Sequence, residues 1–168
     1  LNTLFTDIGD SEFTNATGFT SIAVSDTTVD AGTLASRISS YDTINGGATT
    51  LFSLASGATI EVDASEITQL LDDESDSLLT ITDQHITVNS SDTISVNTAN
   101  SLTDTTSGVV TATITPTETI TTLATLDPDT GDTNNLTITI READKTACTA
   151  EQLNSVSAAT SLLSLIHI

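Results

Sequence analysis

The sequence predicts a repeat solenoid, mainly β, in which each unit of about 17 residues joins one strand to one short capped helix. Three observations carry that expectation. Apolar and polar residues alternate in short runs at 21–25, 59–63, 93–97, 110–114 and 136–140, the period-2 pattern of half-buried strands. Most runs lead almost directly into a helix start: Asp, Thr or Gly, with an apolar residue about four positions on and another about three after that. The starts recur near every 17 residues, or near twice that distance, by about the same measure. A two-sheet β-sandwich is the alternative, because short strands at irregular spacing also suit it.

The starts fall in order along the chain. Gly9 leads to Phe13 and Ala16, Asp30 to Leu34 and Ile38, and Gly47 to Leu51 and Leu54. Asp63 leads to Ile67 and Leu70, and Thr98 to Leu102 alone. Thr115-Pro116-Thr117-Glu118 places Pro at the first helical position and Glu where a capping box needs it, ahead of Ile120 and Leu123. Thr149 leads to Leu153 and Val156. The two wide gaps hold an extra strand pair at 78–88 and an insertion at 127–135. A unit this short cannot bury its apolar face alone, so units must stack on their neighbours. Residues 1–168 read as a single repeat domain. "LNTL" looks like the tail of a helix and "SLIHI" like the first strand of a further unit, so the chain is expected to be a segment or processed product of a longer one.

Composition narrows the partners. Twenty-three acidic residues face three basic ones, Arg37, Arg141 and Lys145, for a net charge of −20. Nucleic acid and anionic membranes need Lys and Arg to displace counterions, so neither is an expected partner. The 36 Thr and 20 Ser do not signal disorder, because Val, Ile and Leu are placed by period and Thr suits exposed strand positions. Cys148 is the sole cysteine, read as a small buried filler, which leaves no internal disulfide. One Cys and no Met agree with an extracellular protein. The C-terminal "SLLSLIHI" is too short to span a bilayer, so no membrane insertion is expected.

The phrases "ISVNTANSLTDTTSGVVTATI" (94–114), "SIAVSDTTVDAGTL" (21–34) and "IEVDASEITQLL" (60–71) resemble a module of very large, Thr/Asp/Ala-rich repeat proteins of cyanobacteria and other, often marine, bacteria. The resemblance covers most of 21–160. It implies secretion and a role at the cell surface, in a sheath or in a matrix, and brings no catalytic residues with it.

Chemistry-bearing groups are few. Asp127, Asp129 and Asp132 surround Gly131 in "DPDTGDTNN", and carboxylates about a Gly turn are how calcium finds its six to eight oxygens. Calcium is therefore the one expected cofactor, and this is the candidate metal site. "DDESD" (72–76) reads as a solvated helix end. His85 and His167 lie in alternating runs and read as strand residues. No nucleophile elbow, P-loop or dinucleotide fingerprint occurs, so no enzyme is expected. Asn15, Asn89 and Asn135 open Asn-x-Ser/Thr triplets, acceptors only in a host that glycosylates.

The expected function is a structural extracellular protein, a self-assembling subunit or segment of a surface layer, sheath or filament. Its partners would be copies of itself or adjacent repeats. Leu162, Leu163, Leu165, Ile166 and Ile168 form the expected intersubunit contact. The alternative is an adhesin that recognises a glycan or surface partner.

Overall fold

The computed structural model describes residues 21–44, 51–128 and 134–161. Alternation produces strands within them. In β4 (Thr59–Val62), Ile60 and Val62 are buried and Glu61 is exposed. β6 (His85–Val88) and β7 (Val110–Thr113) bury Ile86, Val88, Val110 and Ala112 in the same way. The remaining strands are β1 (Ser21–Val24), β2 (Thr28–Asp30), β3 (Leu51–Leu54), β5 (Leu79–Thr80) and β8 (Asn135–Thr137). A three-stranded sheet has the order β1-β3-β5, and a five-stranded sheet the order β2-β4-β6-β7-β8. Every pairing is parallel.

Parallel neighbours require a crossover, usually helical, of a dozen or more residues. Helices α1 (Ala31–Ile44), α2 (Ile67–Ser75), α3 (Val96–Thr105), α4 (Ile120–Leu123) and α5 (Ala150–Ala158) supply the helical returns and the C-terminal cover. The fold is thus mixed α/β, with two parallel sheets and five helices among the described residues. It is neither the predicted solenoid of one strand and one helix per unit nor the alternative β-sandwich. The register gives the reason. Thr28 faces Thr59, Thr59 faces His85, Ile86 faces Val110 and Thr111 faces Asn135, so neighbours lie 31, 26, 24 and 24 residues apart. About 17 residues leave too little chain, after the strand itself, for a helix and two connections that restore the direction.

Local readings differ for equally physical reasons. Leu51 and Leu54, read as a helix face, belong to β3, where Phe52 is buried between β1 and β5. The run 93–97 makes one bridge, Ile94 to Ile114, before Val96 opens α3. The cap of α3 is Ser95, whose side chain accepts from the Thr98 amide at 3.1 Å, so the helix begins ahead of the predicted start. Thr115 does not cap α4. Its hydroxyl donates to the Ile94 carbonyl at 3.0 Å, and Thr119 caps instead, accepting from the Thr122 amide at 3.1 Å. Starting at Ile120 puts both Ile120 and Leu123 into the core. Asp144 supports the same helix end by accepting from the Ile120 amide, and the Arg141 guanidinium holds its carboxyl below the usual carboxylate range. Two predicted caps stand as read: Asp30 accepts from the Thr33 amide at 2.7 Å, and Thr149 forms a full capping box with Gln152.

The core is one apolar cluster between the sheets and the helices. It runs from Val24, Val29 and Leu34 through Ile60, Ile86 and Val110 to Leu136 and Val156. Polar corners are bonded to the strand before them. Gln84, 4% exposed, accepts from the Thr82 and Asp83 amides and donates to the Ala55 carbonyl. Thr106 donates to the Gln84 carbonyl at 2.6 Å. Asn134 accepts from the Val110 amide at 2.9 Å, and Thr160 shares its proton between the Asn134 and Leu136 carbonyls while accepting from the Leu136 amide. Buried peptide groups left unpaired cost about 1–3 kcal/mol each, so these side chains secure successive strands to one another.

The acidic run 72–76 is only partly the solvated end expected of it. Asp76 is the C-cap of α2 and Ser77 takes a left-handed φ of 61°. The Ser77 amide donates to the Glu74 carbonyl and the Leu78 amide to that of Asp73, which is a Schellman closure. This turn brings Asp73 inward to 4% exposure. Burial pushes its carboxyl above the ordinary value, and the Asp72 and Asp76 charges add to that, against the Gln69 amide that donates to it at 2.7 Å. A carboxyl raised in the folded state binds its proton more readily there, so stability falls as pH rises through that window. Asp73→Asn is therefore expected to raise Tm at pH ~7 and to lose that advantage as pH drops to the ordinary carboxylate range, about 4. Thermal melts across that range check it; an unchanged Tm at neutral pH would contradict the burial.

Candidate functional site

Alternation that buries Ile60, Ile86 and Val110 turns the residues between them outward. Register then aligns them across the five-stranded sheet. Asp30 faces Glu61, Glu61 faces Thr87, Thr87 faces Thr111 and Thr111 faces Asn135, a single rank crossing all five strands. Thr113 and Thr137 begin the next rank. Rungs of a sheet lie about 4.8 Å apart, so hydroxyls repeat at that interval over half of the face and carboxylates occupy the other side.

This face is concave toward the carboxyl ends of its strands. A groove of about 510 Å³ there is lined by Asp30, Glu61, Asp63, Thr87, Asn89, Ser90, Thr111, Thr113 and Thr137, with Val62, Val88 and Ala112 contributing at its floor. No Lys or Arg lines it. Within the lining, Asn89 is held in place by donating to the Asp63 carboxylate at 3.0 Å. Asp30 is kept ionised, because its bonds with Thr33 lower its carboxyl below the ordinary value. Asp30 and Glu61 face each other in the register of β2 and β4, and the Asp30 carboxylate is engaged by the Thr33 amide at the start of α1. A second, shallower hollow shares Asp30 and is lined by Gly32, Thr33, Ser36, Arg37 and Glu66. Glu66 lies so close over Gly32 that a Cβ there would collide with its carboxylate.

Of the residues singled out from sequence as chemistry-bearing, the described ones Asp127, His85 and Cys148 do not line the groove. Of the proposed calcium ligands, Asp127 is exposed and donates its amide to Asn100 Oδ1 at 3.1 Å. Asp129 and Asp132 lie outside the described residues. Among the described residues no group of three or more His, Cys, Asp or Glu side chains is gathered to hold a metal ion. The proposed contact residues Leu162, Leu163, Leu165, Ile166 and Ile168 also lie outside the described residues, as does His167. His85 is a strand residue, in β6. Its Nδ1 accepts from the Val109 amide at 2.9 Å, which places the ring proton on Nε2. Cys148 is half-buried, with Sγ 3.6 Å from the Lys145 carbonyl. Among the described residues no helix is long and apolar enough to cross a membrane.

Nothing in the sequence marked the groove. The Thr-rich alternation of 110–114 was visible, but which Thr stands beside which carboxylate depends on pairing across 24 to 31 residues. No family model, curated protein or solved structure matches the chain.

Proposed function

We propose that the chain is a non-catalytic binding module of a secreted, cell-surface protein, and that it engages a polar partner through the outward face of its five-stranded sheet. The groove over Thr87, Thr111 and Thr113 is the observation that supports this reading. Hydroxyls fixed on a parallel sheet present hydrogen-bonding groups without the ordering cost of a loop. Surface location rests on the acidic composition, the single Cys and the resemblance of 94–114 to secreted repeat modules. Nucleic acid is disfavoured as a partner by 23 acidic residues against three basic ones.

The test is adhesion of the labelled chain to immobilised glycans, compared with a Thr111→Trp variant that fills the groove. Adhesion lost in the variant, with an unchanged circular dichroism spectrum, supports the reading. Adhesion that persists in the variant, or no adhesion to any glycan, refutes it. The second reading is a self-assembling structural segment of a surface layer, sheath or filament. It rests on the resemblance of 94–114 to modules of very large secreted repeat proteins. A charge of −20 makes such assembly depend on screening. Electron microscopy with and without millimolar calcium separates the two: ordered filaments or sheets support assembly, and monomers in both conditions exclude it.

A further inference from the structure

The groove's two halves ask for different things from one ligand. Thr87, Thr111 and Thr113 offer donors and acceptors to hydroxyls. Asp30, Glu61 and Asp63 offer negative charge and no basic side chain answers them in the lining. An anionic glycan is repelled. A neutral one brings no counter-charge to the three carboxylates. A single metal ion does not answer either, since these carboxylates are not gathered closely enough to coordinate one, and calcium needs six to eight oxygens at short range. Charges spaced along a groove match charges spaced along a chain.

We propose that the groove binds an amino sugar chain, with protonated amines at the Asp30, Glu61 and Asp63 end and ring hydroxyls over the threonines. This rests on reading the groove as the binding surface. The amine brings to the groove the positive charge that its lining lacks.

The experiment is isothermal titration of the purified chain, at low ionic strength and mildly acidic pH, with a glucosamine tetramer. Three comparators share part of its chemistry: the N-acetylated tetramer keeps the hydroxyls without charge, spermidine keeps the charges without the rings, and calcium chloride is a point charge. The glucosamine tetramer is expected to bind about tenfold tighter than either organic comparator, a difference of about 1.4 kcal/mol. Glu61→Gln and Thr111→Val are each expected to weaken it severalfold. Glu61→Gln should melt no lower than the parent, since Glu61 is exposed and the change keeps the side chain's size, so its loss of binding does not reflect unfolding. Equal binding of the acetylated tetramer overturns the amine assignment and leaves the binding module standing. Equal binding of spermidine, or displacement of the sugar by calcium, overturns the sugar assignment. No binding of any glycan overturns both.

Discussion

Phe52→Ala is expected to destabilise the protein by about 3–5 kcal/mol. Phe52 is fully buried in β3, the central strand of the three-stranded sheet. Its ring meets Tyr41 of α1 edge to face, with centroids 6.2 Å apart and planes at 82°. Truncation would leave a cavity where the sheet and the helix meet, and would remove an aromatic pair worth about 0.5–1.5 kcal/mol beyond its buried area. Against a total stability of about 5–15 kcal/mol, the loss is a large share. Urea denaturation should show a lower midpoint with an unchanged slope. Phe52→Leu, which keeps most of the volume, is expected to cost far less, about 1.5 kcal/mol. A midpoint for Phe52→Ala equal to the parent's would mean that β3 does not lie in the core.

Gly108→Ala is expected to cost about 3 kcal/mol for a different reason. Gly108 precedes β7 where the chain passes over the corner at Gln84. A Cβ there would collide with the Gln84 carbonyl and sit 2.8 Å from the Asp83 carbonyl oxygen. Both obstacles are backbone, so relief requires moving one strand away from its neighbour. Such a shift would also strain the Gly108 amide bond to Thr106 Oγ1 and that hydroxyl's bond to Gln84. Gly57 provides the control. Its φ is +66° and nothing crowds it, so Gly57→Ala bears only the left-handed penalty of about 1 kcal/mol. Equal losses at the two positions, measured by denaturation, would rule out the close approach.

Strand positions were legible wherever alternation was clean. β1, β4 and β7 fall within the runs read from sequence; β5 and β6 fall within 78–88, but they enter different sheets and are not a pair. Caps were legible where one residue had no rival, as at Asp30 and Thr149. They were misread where several Ser and Thr competed. Thr115 and Thr119 both satisfy the local rule, and the choice falls to the core, which accepts Ile120 and Leu123 only if the helix starts late. Strand direction was not legible at all. A Val-Thr-Ala-Thr strand reads the same in a parallel or an antiparallel sheet, and its partner here is 24 residues away. The repeat length failed for that reason, since helix starts were counted where strand pairings set the true interval. The groove was hidden with it, because Glu61 and Thr87 become neighbours only through that pairing.

The Thr160 bonds bear on how the molecule keeps to itself. An edge strand invites foreign chains when it offers a row of unmatched peptide groups. On β8, Thr160 covers both the amide and the carbonyl of Leu136, and Thr160 and Ser161 together cover the Asn134 carbonyl. Two small hydroxyls thus blunt the rim at these residues, where an incoming strand would have to nucleate its first bonds. Resistance to aggregation is secured here by side chains that add no charge to a surface already strongly acidic.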